Sequence, residues 1–228
     1  MKQRAFVSAA AAILGTFLAT APLSAQVRFK AGESTAERAE QLKAKGWAEV
    51  ETGFFQKRTA GRIEHVALAP EGMPRAIAGL RGQYARLLER NKKSPSPELA
   101  KALRAMKQTL GKLTRMPAQP LAAQGWGCNL DVGSNAWAYP ENNYVVGIGA
   151  GHHYSDCYTG EAYASAYVSS SSGSQFHAAF DWGQNVDVAS GLTNDGPPPC
   201  HSEGYGYGYD YDLGVFVDSF ASNDTCGQ

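Results

Sequence analysis

Two periodicities divide this chain at about residue 116. In the first part, apolar side chains recur at helical spacings around a few short β-prone runs. Ser34 with Glu37 forms a capping box that opens a helix through Ala39 and Leu42, and Gly46 can end it. Three strand-like pieces follow, Trp47–Glu51, Phe54–Arg58 and Arg62–Leu68, parted by Thr52-Gly53 and Thr59-Ala60-Gly61, which suggests a meander. Pro74 then opens a helix whose apolar positions are Ile77, Leu80, Tyr84, Leu87 and Leu88. Ser96 caps and Pro97 begins a second helix with Leu99, Leu103, Met106, Leu110 and Leu113. Two such stripes joined by a short turn predict an antiparallel helical hairpin, whose Arg75, Arg81, Arg86, Arg90, Lys101, Arg104 and Lys107 read as a solvated surface.

The second part alternates with a period of two, the mark of strands with one face fit for a core. Tyr144, Val146, Ile148 and Ala150 oppose Val145, Gly147, Gly149 and Gly151; Ala162, Ala164, Ala166 and Val168 oppose Glu161, Tyr163, Ser165 and Tyr167. Phe176, Ala178, Phe180 and Trp182 oppose His177, Ala179 and Asp181, and Trp182 is expected in the core. Six to eight strands of this kind close most naturally as a β-sandwich or jelly roll. The expected fold is therefore an α+β N-terminal domain (helix, short β meander, helical hairpin) followed by an all-β sandwich or jelly-roll-like domain with two disulfides.

Charge sharpens the division. No Lys or Arg follows Arg115, although twelve acidic side chains do; residues 28–115 hold nineteen basic and nine acidic ones. Opposite charges suggest two modules with separate tasks. A segment without basic residues is also a poor ligand for phosphate or nucleic acid, so no nucleic-acid partner is expected. Pro117-Ala-Gln-Pro-Leu-Ala-Ala reads as a linker. The expected organisation is a signal peptide over 1–25, a basic α+β domain over 26–116, a linker over 117–124 and an acidic β domain over 125–228.

Lys2 and Arg4 ahead of an apolar run from Ala5 to about Ala19, then Pro22, Leu23, Ser24 and Ala25, describe a secretory leader. The run falls short of the roughly twenty residues a membrane-spanning helix needs, so no transmembrane segment is expected. Secretion to the periplasm or the extracellular space agrees with four cysteines, all in the acidic half. Folding 129–139 and 144–154 as a hairpin sets Cys128 opposite Cys157, and a hairpin over 204–211 and 215–221 brings Cys200 towards Cys226. Neighbouring pairing is the expectation. Zinc is disfavoured because no C-x-x-C or H-x-x-x-H spacing occurs.

Several residues could carry chemistry. His152 and His153, joined by Asp156, Glu161, His177 or His201, could form a general base or metal site, though neighbours on a strand point apart. His152, His153 and His177 are the weak catalytic candidates. No G-x-S-x-G elbow is present, and carboxylate pairs such as Asp210 with Asp212, or Asp181 with Asp187, read as solvated surface. No cofactor is expected; calcium is the one ion left open, because carboxylates abound without cations. The most distinctive segment is Gly204-Tyr205-Gly206-Tyr207-Gly208-Tyr209-Asp210-Tyr211, which in extended form puts four tyrosines on one face and three glycines with Asp210 on the other. Such rings suit an interface. Tyr205, Tyr207, Tyr209 and Tyr211, with Trp126 and Trp137, are the candidate binding residues, against the competing reading that the rings form a core face.

This layout, a helical region ending in a hairpin and then a four-cysteine β domain rich in Ala, Ser, Gly and Tyr, resembles a group of uncharacterised exported bacterial proteins. The resemblance implies secretion and architecture and brings no activity. Two function classes emerge. The favoured one is a secreted or surface-associated non-catalytic binding module, whose aromatic residues meet a neutral glycan, a peptide or protein surface, or another copy of the chain. The alternative is a secreted hydrolase made as a zymogen, with 26–116 as its pro-region.

Overall fold

The computed structural model describes residues 25–30, 32–59, 61–115, 128–141 and 144–226. Residues 1–24 of the expected leader, the linker over 117–124 and Trp126 lie outside them. The elements, in order, are β1 (Ala25–Lys30), α1 (Thr35–Ala44), β2 (Ala48–Glu51), β3 (Phe54–Thr59), β4 (Arg62–Leu68), α2 (Met73–Lys93), α3 (Pro97–Leu113), β5 (Asn129–Glu141), β6 (Tyr144–Ser155), β7 (Gly160–Ser170), β8 (Gly173–Gly183), β9 (Asn185–Asn194), β10 (His201–Asp210) and β11 (Val215–Asn223). The capping box at Ser34 and Glu37 forms, and the side chain of Ser96 caps α3 by accepting from the Leu99 amide.

The strands build two antiparallel sheets, four-stranded in the order β1-β5-β6-β9 and seven-stranded in the order β2-β3-β4-β11-β10-β7-β8. They pack face to face in a sandwich-like arrangement, and the helical hairpin of α2 and α3 lies on the outer face of the larger sheet. The basic and acidic segments share both sheets. β1 pairs with β5, and β4 pairs with β11 in the register Val66↔Val217 and Leu68↔Val215. A short meander alone would leave a row of backbone groups unpaired. Pairing β4 with β11 satisfies them and buries Val66, Leu68, Val215 and Val217 together. The charge asymmetry is realised as specific ion pairs across the two segments: Arg28 with Asp131, Arg90 with Glu203 and Lys112 with Glu161.

Where the two sheets cross at β6 and β10, the core consists of backbone. A Cβ on Gly204, Gly206 or Gly208 would come within 1.8, 1.9 and 2.3 Å of the carbonyl oxygens of Ile148, Ala150 and His152. On the facing strand, Cβ atoms at Gly149 and Gly151 would meet the carbonyls of Tyr205 and Tyr207 at 2.1 and 2.2 Å. The alternation of the 204–211 segment is thereby explained on its glycine side: those positions let the sheets touch. Cys128 pairs with Cys157 and Cys200 with Cys226, as the hairpin registers imply.

Candidate functional site

The tyrosine ladder is not a recognition surface. Tyr205 is 4% exposed, and Tyr207 and Tyr209 are fully buried beneath the hairpin, among Leu80, Leu87, Leu103, Met106 and Phe216. The glycine face of β10 is committed to the smaller sheet, so its tyrosine face is the one the apolar stripes of α2 and α3 can cover. Each ring stacks or tilts against a neighbour: Tyr207 lies parallel to Tyr163 at 5.3 Å, and Tyr209 meets Tyr211 edge-on at 5.0 Å. The hydroxyls of Tyr205 and Tyr207 are satisfied internally. Tyr207 Oη shares a hydrogen bond of 2.8 Å with Thr109 and donates to Glu161 Oε1 at 3.3 Å. Burial drives the Tyr205 and Tyr207 phenols well above their ordinary range, with the nearby Asp218 and Glu161 carboxylates acting in the same direction. Tyr211 is half-buried and donates to Glu161 Oε2, which also accepts from the ammonium of Lys112 at 3.0 Å. Glu161 is itself fully buried, so this cluster closes on itself.

Trp182 departs from expectation in the other direction. It is 66% exposed, because it sits near the end of the edge strand β8 with its pairing partner on one side only. Trp137 lies half-buried on the outer face of the smaller sheet, with the Arg62 guanidinium 5.9 Å above its ring.

The histidines do point apart. His153 faces inward, is fully buried, and sets Nε2 2.7 Å from Asp210 Oδ2 and Nδ1 3.1 Å from the carbonyl of Gln184. Asp210 is the acidic member of the glycine face, which is why it reaches this ring. His177 sets Nδ1 3.0 Å from Ser190 Oγ, an inter-sheet contact. His152 faces outward, yet it is covered by Tyr154, whose ring stacks on it at 5.0 Å. Its Nε2 lies 3.0 Å from Asp131 Oδ1. None of the three meets Asp156, Glu161 or another histidine; their partners are carboxylates, a carbonyl and a serine that spacing did not match to them. Among the described residues no group of three or more His, Cys, Asp or Glu is arranged to hold a metal ion.

Beside the outward histidine lies a cleft. At the end of the smaller sheet where β1 and β6 finish and β5 and β9 begin, an open volume of about 570 Å³ lies beneath the segment leading into α1. Its walls include Arg28, Lys30, Asn129, Asp131, Tyr154, Asp156 and Asn185, with Glu33 and Gln41 on the α1 side. Alternation places the polar members: Gln26, Arg28 and Lys30 face outward while Ala25, Val27 and Phe29 are core. Asp131 is the hub. It accepts from Gln26 Nε2 at 2.7 and 2.9 Å, from Arg28 Nε at 2.8 Å and from His152. Burial alone would raise its carboxyl; the hydrogen bonds from His152 and Gln26 outweigh that and hold it below the usual range. Tyr154, 37% exposed, donates to Asp187 Oδ2 at 2.9 Å, and burial followed by that bond pushes its phenol up to about 12. The Cys128–Cys157 bridge ties down the adjoining residues Asn129 and Asp156, which themselves bond at 3.3 Å.

Comparison of the chain with protein-family models, with curated proteins and with solved structures returns no match. The site therefore rests on its own geometry. Sequence reasoning missed Tyr154, Asp131, Arg28 and Lys30. The period-two run Ala25-Gln-Val-Arg-Phe-Lys was the available signal for β1, hidden by its position at the expected leader's end.

Proposed function

We propose that this protein is a secreted or surface-associated, non-catalytic binding module whose recognition site is the cleft beside Tyr154. The observation that carries the reading is an open, ligand-sized cleft beside an exposed ring that is fixed before any ligand arrives. Pockets of a few hundred Å³ suit small ligands, and a ring held by stacking on His152 and by Asp187 has little freedom left to lose. Aromatic recognition of a neutral glycan, a peptide or a protein surface thus moves from the Tyr205–Tyr211 ladder to Tyr154. Two formed disulfides fit an oxidising compartment, and among the described residues no helix is long and apolar enough to cross a membrane. A sandwich-like fold with an open cleft at one end of its strands accords with this reading.

Catalysis is disfavoured because His152, the ring nearest the cleft, is capped by Tyr154 and bonded to Asp131, and His153 is sealed between the sheets. The zymogen alternative draws no support either. Residues 26–116 supply β1, half of the β4–β11 ladder and the lid over three tyrosines, so their removal would strip the larger sheet.

The test is ligand-observed NMR with a panel of neutral oligosaccharides and short peptides, on the full mature chain and on Tyr154→Ala. Binding that weakens at least tenfold in the variant is expected. Binding unaffected by the change, or turnover that depends on His152, would overturn the assignment.

A further inference from the structure

The charged groups around the cleft are arranged by sign. On the β1 wall stand Arg28 and Lys30; two strands away, just past the end of β6, stands Asp156, which lines the cleft together with Tyr154. Most other charge in the cleft is already engaged. Asp131 accepts from three side chains, and Glu33 accepts from Gln41 Nε2 at 2.9 Å and from the Lys30 amide at 3.0 Å. Among the described residues, three groups remain available. They are the outer part of the Arg28 guanidinium, bonded through Nε and with its side chain 72% exposed, the Lys30 ammonium, and the exposed Asp156, which accepts from the neutral Asn129 amide. A cationic wall and an anionic wall thus face one another across β5.

Resting on the cleft as the binding site, we propose that its ligand is a short peptide with both ends free. The carboxylate sits at Arg28 and Lys30, the ammonium sits at Asp156 against the ring of Tyr154, and the amides of Asn129 and Asn185 address the backbone between them. Dimensions agree. Two steps between neighbouring strands span about 10 Å, and an extended chain of about three residues covers the same distance. Guanidinium and ammonium groups suit a carboxylate, and a cation over an aromatic face is attracted by its quadrupole. A neutral glycan would leave both walls unanswered. All of these groups are exposed, so screening keeps each contribution small and the expected affinity modest.

The experiment uses calorimetry or NMR titration of the mature chain with trialanine, N-acetyl-trialanine, trialanine amide and maltotriose. Trialanine should bind, with dissociation constants for either capped form several-fold weaker, and maltotriose should not compete. In the double variant Arg28→Gln, Lys30→Gln, the free and amidated peptides should bind alike; in Asp156→Asn, the free and acetylated peptides should bind alike. Capped and free peptides of equal affinity would overturn the inference. Maltotriose binding that requires Tyr154 would overturn the peptide assignment while leaving the cleft as the binding site. If no probe of either class binds, both readings fall.

Discussion

The outer faces of the two sheets are built from similar residues and put to opposite use. On the larger sheet, Tyr205, Tyr207 and Tyr209 vanish beneath a helical hairpin, and the hydroxyls of Tyr205 and Tyr207 are absorbed by Asp218, Thr109 and Glu161. On the smaller sheet, Tyr154 also rests on a neighbouring ring and bonds a carboxylate, yet one face stays open to a cleft. The difference lies in the elements available to cover each strand. β10 belongs to a seven-stranded sheet with two amphipathic helices packed over it, whereas β6 ends beside a disulfide-bonded turn and a short helix that leaves a gap. Aromatic richness therefore does not mark a binding surface. The partner that an aromatic strand finds in the same chain decides it.

The covered face should be the more fragile. Replacing Tyr207 with Ala removes a fully buried ring and leaves Thr109 and Glu161 short of a partner; a loss of about 3–5 kcal/mol is expected by chemical denaturation. On the other side of the same strand, Gly206→Ala should be at least as damaging. Its new Cβ would sit 1.9 Å from the Ala150 carbonyl, backbone that cannot swing aside. A Tyr207→Ala variant within about 1 kcal/mol of the parent would show that the hairpin does not hold this face closed.

Much of this was legible and some was not. Each helix and strand of the hairpin, meander and β-hairpins follows from local period, caps and turns, and so does the pairing of Cys128 with Cys157 and of Cys200 with Cys226. The division of the 204–211 segment into a tyrosine face and a glycine face was legible too. Local pattern could not supply the destination of each face. Joining β4 to β11 and β1 to β5 spans about a hundred residues or more, and no period encodes such a pairing. The cleft depends on the pairing of β1 with β5, since Arg28 meets Asp131 only after β1 has docked. Trp182 failed for a related reason: its alternation matches the inward positions of β8, but at the end of that edge strand it stays 66% exposed.

A milder way to loosen the covered face is through pH. At its far end Arg90 of α2 bonds Glu203, which His201 also approaches at 2.6 Å; His201 bonds Asp224 at 2.6 Å through its other nitrogen. Burial alone would raise the Glu203 carboxyl, but the His201 hydrogen bond and the Arg90 charge draw it down to about 2. Its contribution is thus present above about 4.5 and is lost as pH falls from there towards 2. His201 is shifted up, by the Glu203 bond foremost, so its contribution is present below about 6.5 and fades as pH rises through the raised value. The latch should be tightest between these limits. Glu203→Gln should flatten both arms of the stability–pH curve measured by thermal melting, and unchanged arms would show that the cluster does not fasten the hairpin.

The open face should yield the smallest stability change and so set the two tyrosine environments furthest apart. Tyr154→Ala removes a ring that is 37% exposed, its stacking on His152 and one bond to the exposed Asp187. An aromatic pair contributes about 0.5–1.5 kcal/mol beyond area, and a hydrogen bond at the surface little, so a loss of about 1 kcal/mol is expected. Asp131 keeps its bonds from Gln26 and Arg28, which hold the floor of the cleft in place. The same substitution that costs about 3–5 kcal/mol under the hairpin should therefore leave the melting curve nearly intact here while removing the ligand. If Tyr154→Ala unfolds the protein as readily as Tyr207→Ala, the ring is a structural plug over His152, and the distinction between a covered and an open face disappears.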